Sequence, residues 1–395
     1  MHNYEKALPY LEKALEIHRK SLSSDHPNLA ANYDNIGAVY QRMGNYEMAL
    51  SYLRKALEIH RKSLSSDHSN LALDYSNIGV VYQSIGNYEK ALSYLEKALE
   101  IHQKSLPSDH PHLAGNYNNI GAVYQSMGNY EKALSYLEKA LEIHRKSLPS
   151  DHPSLALVYN NIGQLYQSMH NYEKALPYLE KALEIHQKCL PPDHANLALS
   201  YNNIAAVYRS MDNYEKALSC LKKALEIHRK SLPSDHPHLA ANYNNIGAIY
   251  QSMDNYEKAL SYLEKALEIH QKSLPSDHPD LVATYSNIGA VYQSMGNYEK
   301  ALSYWEKALE IHRKSLPSDH PSLGTIYNNT GYIHSRMGDH AMALLLFEQA
   351  LGIMKKSLSN THPSLAAAYS NIALELEDLG RWKRFSMNFK CFLQA

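Results

Sequence analysis

The sequence predicts an all-α solenoid of stacked antiparallel helical hairpins, and three observations support this prediction. An asparagine recurs every 42 residues from Asn35 to Asn371, each time within the same surrounding sequence. Two stretches in each 42-residue unit show the apolar periodicity of an α-helix. A short segment with a Gly-Asn pair or a related pair lies between them, where the chain can reverse direction. A long internal period of this kind is typical of solenoid proteins.

The first helix of each unit, called helix A, is predicted to begin at Pro27 and its equivalents. Proline suits the first helical position and disfavours helical geometry in the residue before it, so His26 is predicted to cap the helix. The apolar residues of helix A have helical spacing and share one face. This packing face consists of Leu29, Tyr33, Ile36, Gly37 and Tyr40.

The second helix, called helix B, carries an apolar stripe from Tyr46 to Leu64. Glu58 and Lys62 lie four residues apart on its polar side, as an ion pair along a helix requires. Before helix B, the pair Gly44-Asn45 supplies a residue that can adopt a positive φ at the end of helix A. Each unit is therefore predicted to be an antiparallel hairpin.

Small residues are predicted where helices approach most closely. Gly37, Ala49 and Ala56 recur at fixed places in the units, and a larger side chain there would overpack at a cost of about 1 to 3 kcal/mol. No unit can bury its apolar faces alone, so stability is expected to come from stacking with neighbouring units.

Histidine occurs 23 times, mostly in two rows. One row caps the A helices, beginning with His26. The second, called the histidine row, lies near the C-terminal ends of the B helices, where a partly protonated imidazole suits the helix dipole. It comprises His18, His60, His102, His144, His186, His228, His270 and His312. Because no Cys, Asp or Glu at a fixed offset completes a ligand set, both rows are interpreted as structural, and no metal or other cofactor is expected.

Composition excludes several classes of protein. With 39 Lys and Arg against 40 Asp and Glu, the chain lacks the basic surface of a nucleic-acid-binding protein. Its apolar runs are too short to span a membrane, and a cytoplasmic location is expected. Cys189, Cys220 and Cys391 have no regular spacing and are interpreted as free thiols.

The pattern of Tyr33, Ile36-Gly37, Tyr40, Ala49 and Ala56 resembles the tetratricopeptide repeat over nearly the whole chain. The period of 42 exceeds the usual value of about 34, and the lengthened helix B resembles the repeats of the kinesin light chain cargo-binding domain. The resemblance implies a right-handed superhelical solenoid whose A helices line a concave groove. It also implies a partner protein or an extended peptide as the ligand, with no nucleic acid, membrane or metal involved.

By this resemblance, the groove is lined by the helix A residues equivalent to Ala31, Asp34, Asn35, Ala38, Gln41 and Arg42, here called the amide stripe. Amide side chains can hydrogen-bond the backbone of an extended peptide whatever its sequence. The candidate binding residues are Asp34, Asn35, Gln41, Arg42, Asn77, Gln83, Asn118, Asn119, Gln125, Asn160, Asn161, Gln167, Asn202, Asn203, Arg209, Asn244, Asn245, Gln251, Asn287, Gln293, Asn328, Asn329 and Arg336.

The two residues of each asparagine pair invite different interpretations. The second, which heads the 42-residue period at Asn35, is invariant, so it either binds a ligand or ties helix A to a neighbouring backbone carbonyl. The first, at Asp34 and its equivalents, varies among Asp, Ser and Asn. Variation is expected of an exposed position that selects the ligand. Kinesin light chain grooves add lysines and arginines for acidic peptides, whereas this stripe offers mainly Ala, Leu, Gln and Ser.

We expect residues 1–26 to be a lone helix B of a truncated repeat, residues 27–362 to be eight complete units, and residues 363–395 to be a ninth helix A with a degenerate basic C-terminal helix. Together they are predicted to form one continuous solenoid cut from a larger protein, because Met1 to Tyr10 repeat Met169 to Tyr178 residue for residue. No catalytic motif is found. The alternative is the detached interaction module of a larger enzyme, such as an ADP-ribosyltransferase. The triplet Glu375-Leu376-Glu377 weakly resembles the paired glutamates of that enzyme class.

Overall fold

In the computed structural model, residues 2–315, 320–357 and 363–394 are described, and they form eighteen α-helices. The helices are α1 His2–Ser21, α2 Pro27–Arg42, α3 Tyr46–Ser63, α4 Ser69–Ser84, α5 Tyr88–Ser105, α6 Pro111–Ser126, α7 Tyr130–Ser147, α8 Pro153–Ser168, α9 Tyr172–Cys189, α10 Ala195–Ser210, α11 Tyr214–Ser231, α12 Pro237–Ser252, α13 Tyr256–Ser273, α14 Pro279–Ser294, α15 Tyr298–Ser315, α16 Pro321–Arg336, α17 His340–Ser357 and α18 Pro363–Gln394. The predicted all-α class is confirmed. Even-numbered helices are the predicted A helices, and odd-numbered ones are the B helices.

The chain divides into two compact parts, Met1–Pro192 and Asp193–Ala395, which are called the first unit and the second unit from here on. In the first, α2 packs on α3, α4 on α5, α6 on α7 and α8 on α9, and consecutive hairpins also contact each other. In the second, the same pairing joins α10 to α11, α12 to α13, α14 to α15 and α16 to α17. Stacked hairpins are therefore confirmed within each unit. The single continuous solenoid stays a prediction.

The A helices begin as predicted. His26 has extended backbone angles, with φ −70° and ψ 132°, and Pro27 follows it as the first helical residue. The Nδ1 atom of His26 accepts a hydrogen bond from the Asn28 N–H at 3.1 Å. His68 does the same for Asn70 at 3.2 Å, although a serine replaces the proline there. The imidazole cap therefore works without the proline.

The turn between the helices also follows the prediction, with one addition. Gly44 has φ +78°, which ends α2 in the left-handed region. Asn45 then caps α3, because its side chain accepts a hydrogen bond from the Met48 N–H at 3.2 Å. Asp212 stands in the glycine position with φ +55°, and its carboxylate accepts a hydrogen bond from the Tyr214 hydroxyl at 2.7 Å. At this turn, the side chain of the residue with positive φ also bonds to the first residue of α11.

Close approach of helices A and B at the helical glycine is confirmed. A Cβ placed on Gly163 would lie 2.6 Å from the Leu179 Cγ and 3.3 Å from the Ala175 carbonyl oxygen. Leu179 itself is 1% exposed. The leucine of helix B therefore occupies the space that the glycine of helix A leaves open. In the same hairpin, the ring centroids of Tyr166 and Tyr178 lie 5.6 Å apart.

The last helix, α18, is continuous over 32 residues and passes through Gly380 without a turn. Cys189 and Cys220 are not in a disulfide, as predicted. Cys391 and the basic residues from Arg381 onward lie outside the residues whose side chains are described. No helix within the described ranges is both long and apolar enough to cross a membrane.

Candidate functional site

The amide stripe lies on the A helices, and its invariant asparagines are its more accessible amides. Among the second residues of the pairs, Asn35, Asn77 and Asn245 are exposed. The half-buried ones are Asn119, Asn161, Asn203, Asn287 and Asn329. The glutamines Gln41, Gln83, Gln125, Gln167, Gln251 and Gln293 are half-buried as well. The stripe therefore presents amide groups to solvent from one A helix after another within each unit.

The expectation that the first residue of each pair is exposed is wrong except at Ser370, which is exposed. Asn118 and Asn244 are each only 7% exposed. The other candidates at this position, Asp34, Asn160, Asn202 and Asn328, are half-buried. At several of these positions the side chain bonds to a side chain of a neighbouring A helix, so the variation among Asp, Ser and Asn adjusts packing between helices. These positions are Ser76, Asn118, Asn202, Asn244 and Asn328.

Hydrogen bonds between A helices explain part of the asparagine pattern. The Asn161 Nδ2 donates to the Asn118 Oδ1 at 2.8 Å, which joins α8 to α6. In the second unit, the Asn371 Nδ2 donates to the Asn328 Oδ1 at 3.1 Å. The structural tie was expected to reach a backbone carbonyl, but in these pairs the acceptor is a side chain.

Large apolar side chains are exposed at the N-terminal end of the stripe. The candidate binding residues predicted from the sequence do not include them. Leu73 on α4 is 44% exposed, and Leu157 on α8 is 53% exposed. In the second unit, Leu199 on α10 is 52% exposed at the same place in the repeat. Each leucine lies four residues before an asparagine of the stripe, so both share one helix face. The signal in the sequence is a column that begins at Ala31 and changes between Ala, Gly, Leu and Thr.

The stripe carries few charges, unlike the B helices. Its arginines are Arg42, Arg209 and Arg336, and all three are exposed. The Arg336 Nε donates to the Tyr298 hydroxyl at 3.2 Å, which holds this side chain toward the start of α15. On the B helices, exposed lysines and glutamates pair four residues apart, as Lys62 does with Glu58 at 2.7 Å. Charge is thus balanced outside the stripe, and the stripe itself is mainly polar and uncharged.

Six members of the histidine row are buried, whereas His18 and His186 are half-buried. The expected partly protonated imidazole is disfavoured at His144, His270 and His312, where burial lowers the pKa. His102 is 1% exposed and His312 is 0% exposed. The ring typically meets a polar side chain fourteen residues ahead on the next A helix. The Nδ1 atom of His102 lies 2.6 Å from the Asn116 Oδ1, and that of His270 lies 3.0 Å from the Thr284 Oγ1. The row therefore links helix B of one hairpin to helix A of the next.

Burial lowers the pKa of His144, His270 and His312. A histidine in an unfolded chain takes up a proton near pH 6.5. The unfolded chain therefore binds more protons than the folded one as the pH falls below this value. These three residues contribute stability that is present above about pH 6.5 and lost on acidification.

We expect His312→Met to raise the free energy of unfolding by about 1 to 3 kcal/mol and to reduce its loss at acid pH, because both ring nitrogens of His312 are buried without a hydrogen-bond partner. Met354 already occupies this position in α17. Chemical denaturation at pH 7.5 and pH 5.5 measures both effects. The matched control, His270→Met, is expected to destabilise the protein because it removes the bond to Thr284. Equal acid sensitivity of His312→Met and the wild type would contradict this account.

The glutamate pair considered for an ADP-ribosyltransferase has a structural role at its first member. Glu375 is 3% exposed, and its Oε2 lies 2.8 Å from the His340 Nδ1, across the contact between α17 and α18. A buried carboxylate paired with a histidine of the preceding helix explains its presence through packing. The sequence match therefore gives no support to a catalytic centre.

The family comparison identifies the repeats. A tetratricopeptide repeat family model matches residues 1–61, 29–104, 112–188, 196–272 and 280–356. The model accounts for most of the chain, and no catalytic domain is identified. No curated protein sequence matches the chain.

Several solved structures are similar. The quorum sensor NprR from B. thuringiensis, in its apo form, is 16% identical, with 89% of this chain and 97% of that chain covered and a TM-score of 0.64. BtubC (BKLC) from P. vanneervenii is 24% identical over 57% of this chain and 91% of that chain, with a TM-score of 0.51. Repeats of a putative kinesin light chain from Podosopora anserina are 27% identical over 52% of this chain and 98% of that chain, with a TM-score of 0.47.

Proposed function

Because the chain belongs to the tetratricopeptide repeat family, we propose that it is a non-catalytic scaffold that binds an extended segment of a partner protein along the amide stripe. Tetratricopeptide repeat domains are typically protein-binding or peptide-binding modules. The proposal includes the concave groove that the resemblance to kinesin light chain repeats implies for these A helices. The side chains of the amide stripe recognise the partner, and no cofactor is required.

The observation that carries the proposal is the exposure of leucines beside asparagines on the same helix face. Leu73 and Asn77 are both exposed on α4. A solvent-exposed leucine that the fold does not use can bury an apolar side chain of a ligand, which contributes binding free energy. The neighbouring amide can donate to and accept from a peptide backbone. Together they provide both an anchor and a means of holding an extended chain.

The charge of the stripe defines the preferred ligand. Its amides and leucines are uncharged, and among its candidate residues only three arginines are cationic. A strongly acidic segment would lose hydration without gaining enough ion pairs in return. We therefore propose a largely neutral segment with spaced apolar side chains, which differs from the acidic cargo that a kinesin light chain groove selects.

Selection from a random peptide display library tests the proposal, because it needs no knowledge of the natural partner. We expect the wild-type chain to enrich peptides with recurring apolar residues. We expect the variant Asn35→Ala/Asn77→Ala to bind the enriched peptides roughly tenfold more weakly, since lost hydrogen bonds contribute about 0.5 to 1.5 kcal/mol each. Fluorescence anisotropy with labelled peptides measures this difference.

The matched control carries Glu96→Ala/Glu138→Ala, two exposed positions on the B helices α5 and α7. This control is expected to bind as the wild type does. Thermal unfolding of all three proteins separates binding from folding, and the midpoints are expected to agree because the replaced side chains are exposed. Failure to enrich any peptide, or equal weakening by both variants, would overturn the proposal.

A further inference from the structure

Three titratable side chains from three helices converge in the first unit. Asp34 lies on α2, His60 on α3 and Asp74 on α4. One ligand atom from each lies within 4.8 Å of the other two. His60 is 4% exposed and Asp74 is 1% exposed, while Asp34 is half-buried beside the amide stripe. The group is thus nearly closed to solvent, and Asp34 is its least buried member.

The hydrogen bonds of this group leave acceptor atoms unused. The His60 Nδ1 and the Asp74 Oδ2 are 2.8 Å apart. The Oδ1 of Asp74 and the Oδ1 of Asp34 are both buried without a hydrogen-bond partner. Two carboxylate oxygens that have lost their hydration and found no donor are costly to the folded state. An ion that both oxygens could bind would offset that cost.

Asp34 and His60 are both perturbed by the neighbouring Asp74. Burial, together with the nearby Asp74 carboxylate, raises the pKa of Asp34 to about 7. The hydrogen bond to Asp74 raises the pKa of His60. Both shifts follow from two carboxylates and an imidazole packed together away from water.

Equivalent groups in other repeats lack the carboxylates, which shows that packing does not require them. In the next repeat the corresponding residues are Ser76, His102 and Asn116, and the Asn116 Nδ2 donates to the Ser76 Oγ at 3.0 Å. In the second unit the Asn242 Nδ2 likewise donates to the Asn202 Oδ1 at 3.0 Å. Neutral side chains thus satisfy one another at this place in the fold. The two carboxylates at Asp34 and Asp74 are a departure that calls for a separate reason.

We propose that Asp34, His60 and Asp74 bind one divalent transition-metal ion, of which Zn²⁺ is the natural probe. One imidazole nitrogen and two carboxylate oxygens match the ligand preferences of zinc, and a water molecule on the Asp34 side completes four-coordination. Binding requires the Asp34 carboxyl and the bound imidazole nitrogen to be deprotonated, so protons are released when the metal enters. The metal ties α2, α3 and α4 together and stabilises the first two complete hairpins.

Metal titration of the full chain tests this proposal, after a chelator has removed any bound metal. The wild type is compared with a variant whose residues at this place are copied from the next repeat. Asp34→Ser/Asp74→Asn gives the first group the residues that the next repeat carries at Ser76 and Asn116. We expect the wild type to bind one more equivalent of Zn²⁺ at pH 7.5 than the variant. That extra site is expected to be on the order of 100-fold tighter than the weak sites that exposed histidines provide. Co²⁺ in place of Zn²⁺ is expected to give the intense visible absorption of a four-coordinate ion in the wild type only.

The readouts also distinguish a metal site from a shared proton. Zn²⁺ is expected to raise the thermal midpoint of the wild type and to leave that of Asp34→Ser/Asp74→Asn unchanged. A second variant, Asp34→Asn, retains the pair of His60 and Asp74 and is expected to lose the tight site as well. Equal stoichiometry in the wild type and the double variant would overturn the proposal. So would a wild type whose stability relative to the variant depends on pH but not on added metal, because the group would then hold only a proton.

Discussion

Replacing Leu73 and Leu157 with aspartate is expected to abolish detectable peptide binding while leaving the helices intact. Both side chains are about half exposed on A helices of the first unit, so the fold does not depend on burying them. An apolar anchor at the centre of an interface typically contributes about 2 kcal/mol. Losing two anchors therefore weakens binding roughly 100-fold to 1000-fold. A buried, unpaired carboxylate at each place adds a further penalty.

The control for this experiment places the same substitution outside the amide stripe. Ile85 is 47% exposed and Met127 is 45% exposed, and both lie at the ends of A helices in the same unit. The variant Ile85→Asp/Met127→Asp is expected to bind library-selected peptides like the wild type. Anisotropy titration and circular dichroism compare the three proteins. If both double variants lose binding equally, the effect comes from added negative charge, and the assignment of the leucines as anchors is wrong.

The repeat, its two helices and their ends could be predicted because they depend on residues close together in the sequence. His26 caps α2 through a bond to a backbone N–H two residues away. Gly44 reverses the chain because of its own backbone freedom. The family of the repeat could be identified for the same reason, since its signature lies within a single hairpin.

The surface of the candidate site was harder to predict because it depends on contacts between repeats. Asn161 bonds to Asn118, which is 43 residues away in the sequence. His60 bonds to Asp74 only because α3 of one hairpin packs on α4 of the next. The sequence left the invariant asparagine open between a structural and a ligand-binding role and indicated that its variable neighbour is exposed, and the burial of Asn118 contradicts the second interpretation. Variation in a column can thus reflect a changing partner in the next repeat rather than a changing ligand.

Two leucines from consecutive repeats, Leu137 on α7 and Leu157 on α8, are expected to respond very differently to truncation. Leu137 on α7 is 0% exposed, and its Cγ would lie 2.9 Å from a Cβ placed on Gly121 of α6. Leu137→Ala is expected to lower the free energy of unfolding by about 2 to 5 kcal/mol, because it leaves a cavity at the joint of a hairpin. Leu157→Ala, at a position that is 53% exposed, is expected to change it by no more than about 0.5 kcal/mol.

Hydrogen exchange shows where the damage of Leu137→Ala is located, which a denaturation midpoint alone does not. In a chain of stacked repeats, each hairpin is stabilised mainly by its nearest neighbours. The amides of α6 and α7 are therefore expected to lose the most protection in Leu137→Ala, and those of α5 and α8 less. Peptide binding gives the opposite ranking, because Leu157→Ala is expected to weaken it more than Leu137→Ala does at temperatures where both variants are folded. Equal losses of stability in the two variants would contradict the division between the packing face of the hairpins and the amide stripe, since that division requires each leucine to serve only one of the two roles.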